Sequence, residues 1–392
     1  MSFAQQTGIS IALFRPSIDA GTSYDPRGTL VREDLGTRVE MYEHTLSVNN
    51  GYFRARFVIK DDVLELERWM DRIGYHVEVS GSGLDLIWEG FVNRIALNIG
   101  PVSFTRGPLT DVGNKVAVVY SELDTTADEP VFGMRQKSPY VEDSTSQDTY
   151  GVIEKIISVG GARPVNARQV RDTWLTENAE PMTTQEFNNQ AHAEPSVTVE
   201  CVGYWWFLKA FTWNQIANSG TRGISDQVQD VLAGDPNGLF STDYSQIESN
   251  TLAIKRYTDE DNTAWDWLIG LVAHGDVNDN RYIFGIYANR RAVYAQQESS
   301  IEYVQRLSEA RYQVDTLRGI EVKPWNVVPA KWLFYPDFLR GEVIHTTMRL
   351  DPRYEFIEQV IYTAPEGLRH YGGRSDTLPQ KLAKLGLGGS AV

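Results

Sequence analysis

Six histidines, His44, His76, His192, His274, His345 and His370, are the side chains best suited to acid–base or metal chemistry, and no two share a ligand-like spacing. Each is therefore read as structural or simply exposed. The best metal candidate is the alternating run Asp276, Asn278, Asn280, which reproduces the first three oxygen-donor positions of a calcium loop. Arg281 then stands where such a loop needs glycine and Tyr287 where it needs glutamate, so the run is read as a surface loop joining a helix to a hairpin. Asp259, Glu260 and Asp261 could be imagined as catalytic carboxylates, but adjacent acids ahead of a helix are explained more simply by attraction to its N-terminus. Asp235-Pro236-Asn237-Gly238 has the residues a tight turn demands. The chain contains no GxSxG elbow, Walker-type loop, HExxH helix or GxGxxG fingerprint. No catalytic, cofactor-binding or metal-ligating residue is assigned, no cofactor is expected, and the chain is expected not to be an enzyme.

Tyr204, Trp205, Trp206, Phe207, Phe211 and Trp213 form the densest aromatic cluster. Exposed, they could stack on sugars or bases. Because they directly follow a strand pattern at Val197, Val199 and Cys201, they are read as core or as a subunit seam, since large exposed apolar patches are rare.

The elements that must position these residues are legible in the periodicity. Tyr52 to Ile59 alternates as a half-buried strand and runs into Asp61 and Asp62, either of which can cap a helix with Val63, Leu66, Met70 and Ile73 at helical spacing, ended by Gly74. Tyr75, Val77 and Val79 alternate again, followed after the turn at Ser80 to Gly83 by Leu84, Leu86 and Trp88. Beyond Gly90 the apolar set changes face, to Phe91, Ile95, Leu97 and Ile99, as at a bulge or bend that curls a sheet.

Asp124 to Thr149, rich in Asp, Ser, Thr, Gln and Pro, reads as a long exposed excursion or linker near a domain boundary. Ile153, Ile157 and Val159 suit a strand, while the spacing of Ile153, Ile156 and Ile157 suits a helix equally. After Pro164 a helix places Ala167, Val170 and Trp174 on one side and ends before Pro181. Two strand–helix–strand units hint at an internal duplication. Thr263 begins a further helix, with Asp266 completing a box-like cap and Trp267, Leu268, Leu271 and Val272 as its stripe. Arg281 to Gln296 reads as a hairpin. Prolines 324, 329, 336, 352 and 365 exclude long helices from the remainder, and Gly372 to Val392 reads as a mobile tail whose Leu378, Leu382 and Leu385 could dock on a neighbour.

A chain of 392 residues, 42% of them hydrophobic, can bury a sizeable core, and its formal net charge of -15 repels phosphate backbones and anionic membranes. Stable nucleic-acid binding is thus not expected, although a conduit for passing DNA benefits from like charge. Cys201 is the sole cysteine, which excludes an intrachain disulfide and a thiolate metal cluster. The N-terminal residues lack a signal-peptide pattern, and no run approaches the roughly 20 apolar residues that span a bilayer, so a soluble product is expected.

Trp88-Glu89-Gly90-Phe91-Val92, Val102 to Arg106, Lys115 to Tyr120, Thr263-Ala264-Trp265-Asp266, Gly275-Asp276 and Asn289-Arg290-Arg291 together resemble the baseplate or tail-tip hub proteins of tailed bacteriophages, over roughly residues 40 to 300. The resemblance implies a homotrimer with two tail-tube-like β-barrels per chain, so that three chains present a pseudo-sixfold ring to a hexameric tube. The expected fold is α+β and β-rich. Its domains are a first tube-like barrel over 1–122, a second barrel unit over 123–220 preceded by the polar excursion, an α+β domain over 221–300 and a small β-rich domain over 301–392. The implied partners are the tail tube or distal tail protein and the tip, spike or fibre proteins, with the chain in the virion after assembly in the host cytoplasm. A hydrolase domain of the kind some relatives carry is not expected. Two other readings stand beside this one: a glycan-binding tail module using the cluster near Trp205, and a cell-wall hydrolase using two carboxylates roughly 5 to 9 Å apart.

Overall fold

The computed structural model describes residues 9–19, 23–32, 35, 38–81, 86–124, 131–187, 194–213, 220–255, 261–296, 327–329, 354–364 and 367–373. Two hairpins come first, β1 (Ser10–Asp19) with β2 (Ser23–Arg32), and β3 (Val39–Ser47) with β4 (Gly51–Ile59). In β4 the alternation places Ala55, Phe57 and Ile59 in the core and leaves Arg54 and Arg56 in solvent. Asp62 accepts the Glu65 amide at 3.0 Å and starts α1 (Val63–Glu67), which tightens into a 3-10 turn through Asp71. Leu66, Trp69 and Ile73 are its buried residues, and Gly74 follows at a φ of 82°.

Next come β5 (His76–Ser80), β6 (Leu86–Ile99) and β7 (Val102–Arg106). The register shift that bends β6 against its neighbour falls at Asn93, not at Gly90. Gly90 has a different reason: a Cβ there would lie 2.3 Å from the Val202 carbonyl oxygen and 2.5 Å from the Trp88 ring.

The polar stretch expected to be an excursion holds regular structure. β8 (Lys115–Asp124) pairs with β9 (Val131–Lys137) and β10 (Val141–Glu142), and Asp143 caps α2 (Ser144–Tyr150). β11 (Glu154–Ala162) settles the strand-or-helix ambiguity as a strand parallel to β8, over which α3 (Pro164–Asn178) packs. Of α3's expected apolar face, Ala167 is buried and Val170 exposed.

β12 (Thr183–Phe187) leaves this small sheet and pairs with β7. β13 (Ser196–Val202) enters the large sheet between β4 and β6, so the strand expected in a second unit is central to the first. A 3-10 turn, Tyr204–Lys209, then carries the aromatic cluster.

The rest of the described chain comprises β14 (Thr221–Gly223), α4 (Ile224–Ala233), β15 (Ala253–Lys255), α5 (Ala264–His274), β16 (Tyr282–Tyr287), β17 (Arg291–Gln296), β18 (Val327–Pro329), β19 (Tyr354–Ala364) and β20 (Gly367–Gly373). Thr263 accepts the Asp266 amide at 3.1 Å and donates to its carboxylate at 2.7 Å, which is the expected cap of α5. The β16–β17 hairpin is also as expected, and it joins β4 through Ile286 and Gly51.

The large sheet runs β18-β19-β3-β4-β13-β6-β5-β1-β2, with β20 on β19, β7 on β6 and β12 on β7. The fold is β-rich as expected, but no closed barrel forms among the described residues, and the two strand–helix–strand stretches pair differently. One continuous core fills the space between the sheet, the aromatic turn, α4 and α5, and includes Phe57, Trp88, Phe91, Tyr204, Phe207, Leu268 and Phe284.

Candidate functional site

The most unusual chemistry lies where β1, β5 and β6 meet the aromatic turn. β5 places His76 and Glu78 two residues apart, hence on one face, and the β5–β6 register sets Glu89 directly opposite Glu78. His76 is fully buried and Glu89 only 2% exposed. One ligand-type atom from each of the three side chains lies within 4.8 Å of the other two.

The aromatic turn, β2 and the β16–β17 turn each contribute a polar partner, while β1 lays the Phe14 ring against His76. The Tyr204 hydroxyl lies 2.7 Å from His76 Nδ1, and Glu78 Oε1 lies 3.0 Å from His76 Nε2. Arg27, from β2, holds Glu78 through Nε at 2.7 Å. From the turn between β16 and β17, the Arg290 backbone amide donates to Glu89, while its Nε donates to the Leu239 carbonyl at 2.9 Å. Asn289 and Arg290 both lie in the left-handed region, with φ of 60° and 56°. Asparagine adopts this region readily, whereas for Arg290 it costs about 1–2 kcal/mol, so the residue that presents the amide to Glu89 is held in a strained conformation.

Two carboxylates opposite one another on adjacent strands repel. Here Arg27 and Arg290 supply the compensating charge. Burial pushes the Glu89 carboxyl up to about 7, against the opposing pull of Arg290. Burial also lowers His76 below its ordinary value, outweighing Glu78. Glu78 is held low: burial raises it, but the His76 hydrogen bond and the charges of His76, Arg27 and Arg290 together outweigh that. Chemically the arrangement can hold a cation between a nitrogen and two carboxylates, or hold a proton on Glu89 near neutrality.

The sequence assigned none of these residues a role. Glu89 carried a signal, being the only charged residue in Ile87-Trp88-Glu89-Gly90-Phe91-Val92, where a buried carboxylate needs an explanation. His76 and Arg290 had none, because their meeting depends on strand register and on a turn 201 residues downstream of Glu89.

The other candidates resolve individually. Asp276 accepts the amides of Asn278 at 2.8 Å and Asn280 at 2.9 Å, and Asn280 Nδ2 donates to its other oxygen at 3.0 Å, so the calcium-like run closes a loop on itself. Asp261 pairs with Arg135 at 2.6 Å and Lys137 at 3.5 Å; Asp259 and Glu260 lie outside the described residues. Asp235 takes the amides of Asn237 at 3.0 Å and Leu239 at 2.6 Å, as its turn requires, while Asn237 reaches across to the Val152 amide and carbonyl. Trp205 and Trp206 are each 7% exposed, and Trp205 packs on Trp265 with ring centroids 5.0 Å apart, so the cluster is core and not a stacking platform. His44 is buried between Tyr42 and Tyr362, whereas His192 and His345 and the leucines of the tail fall outside the described residues.

No helix among the described residues is long and apolar enough to cross a membrane. No protein-family model matches the chain, and no curated protein matches it. Among solved structures, a tail protein from Neisseria meningitidis MC58 is similar at a TM-score of 0.40 and 9% identity, over 94% of this chain and 97% of that one. The 43 kDa tail protein of prophage MuSo2 from Shewanella oneidensis is similar at a TM-score of 0.38 and 10% identity, over 93% and 96% respectively.

Proposed function

We propose that this chain is a structural component of a bacteriophage tail, acting as a trimeric hub that joins the hexameric tube to the tip. The observation that carries the reading is the exposed margin of the large sheet. Among the described residues β12 pairs on one side with β7 and has no strand on its other side, with every residue exposed and Phe187 at 76%; Met182 just before it is exposed as well. At the far end β2 exposes Leu30 and Val31. Natural proteins blunt such edges with charge or cover unless another chain covers them. The segments that resemble hub proteins lie in regular structure: Trp88 to Val92 is the buried centre of β6, Thr263 to Asp266 caps α5, and Asn289 to Arg291 is the turn over Glu89.

In this role the chain is not an enzyme. The facing carboxylates Glu78 and Glu89 are already engaged, Glu78 by Arg27 and His76 and Glu89 by the Arg290 amide. Its partners are two further copies, the tail tube or distal tail protein and the tip proteins; its location is the virion tail tip, with DNA passing a lumen to which a net charge of -15 does not cling. Light scattering of the purified chain is expected to give three times the monomer mass of 44.3 kDa. A stable monomer that never joins tube or tip components would sink the proposal.

A further inference from the structure

We propose that His76, Glu78 and Glu89 form a binding site for one divalent transition-metal ion, zinc by the character of the donors. One imidazole nitrogen and two carboxylate oxygens within 4.8 Å of one another make a three-ligand set of the kind zinc takes up with water in the fourth position. This inference stands independently of the tail reading.

The surrounding groups behave as an outer shell. Tyr204 occupies His76 Nδ1 at 2.7 Å, which leaves Nε2, the nitrogen facing Glu78, to act as ligand. The Arg290 amide fixes one Glu89 oxygen, presented by two consecutive left-handed residues. Strain of this kind persists where the surroundings impose it, and here it orients a carboxylate.

Charge points the same way. Two opposed carboxylates call for a cation, and Arg27 supplies one from the rim, bonded to Glu78 at 2.7 Å with its own side chain 49% exposed. The guanidinium stands where an ion would reduce the same repulsion, and because it comes from the surface it can withdraw and open a path. Glu78 is itself 14% exposed. An ion entering past Arg27 replaces its charge and bridges β5 to β6, while Arg290 remains the fixed counter-charge beneath Glu89.

The test uses the full chain, stripped with a chelator and shown to be folded by circular dichroism. Titrated with zinc chloride, it is expected to bind one ion per chain by mass spectrometry of the dialysed protein, with a rise in Tm. Titrated with cobalt(II), it should develop the visible absorption of a four- or five-coordinate site. Glu89→Gln keeps an acceptor for the Arg290 amide, and it should weaken zinc binding by at least about tenfold, the scale on which even outer-shell changes act. Asp276→Asn, in the self-closed loop, should leave binding unchanged. A folded wild-type chain that takes up no stoichiometric zinc and shows no cobalt absorption overturns the site, whatever the variants do. So does zinc binding of equal affinity in a folded Glu89→Gln chain.

Discussion

At the scale of single residues, His44 shows how burial sets a pH limit on the fold. It lies on β3 between Ala55 of β4 and Tyr362 of β19, with its ring against Tyr42 and Tyr362 and Nδ1 without a hydrogen-bond partner among the described residues. Burial lowers its pKa to about 3. The folded chain therefore binds this proton more weakly than the unfolded chain does. The stabilisation from keeping His44 neutral is complete above the unfolded value of 6.5 and is lost as pH falls toward about 3. The loss is on the order of 2–3 kcal/mol by pH 4.5. His44→Phe keeps a ring between the tyrosines, so its urea midpoint should change less between pH 7 and pH 4.5 than that of the wild type. Equal changes in the two proteins would refute the assignment. His44 was visible in the sequence only as an isolated histidine, because its neutral burial depends on a strand more than 300 residues away.

At the scale of elements, legibility followed locality. The α5 cap, the β16–β17 hairpin and the alternation in β4 are each written within a dozen or so residues, where side-chain period and capping chemistry act directly. Thr263→Ala should therefore cost about 1 kcal/mol, read from the urea midpoint, because it removes the acceptor for the Asp266 amide at 3.1 Å. β13 was recognisable as a strand but not as the strand between β4 and β6, since alternation specifies a face and not a partner. The expected excursion failed for a related reason: polar residues suit the exposed faces of β9 and α2 as well as they suit loops. The His76–Glu78–Glu89 cluster was the least legible, because three strands, a 3-10 turn and a hairpin turn must all assemble before it exists.

At the scale of the whole molecule, the exposed margin at β12 separates folding from assembly. Phe187→Glu alters a side chain that is 76% exposed, so the subunit's own stability should stay within roughly 0.5 kcal/mol of the wild type. If that edge meets another chain, the same substitution should reduce the assembled mass in light scattering or analytical ultracentrifugation. Unchanged assembly would place the contact elsewhere, on the β2 margin or away from the sheet.

The pairing of β19 with β3 also orders events in time. Thr363 bonds Glu43 across a separation of 320 residues, so one side of β3 stays open on the ribosome until nearly the whole described chain has been made. Contacts this distant in sequence slow folding, and an open strand is a template for pairing with another nascent chain. Soluble yield should therefore depend on the rate of synthesis, with slower or cooler expression giving β19 time to reach β3 before a neighbouring polypeptide does.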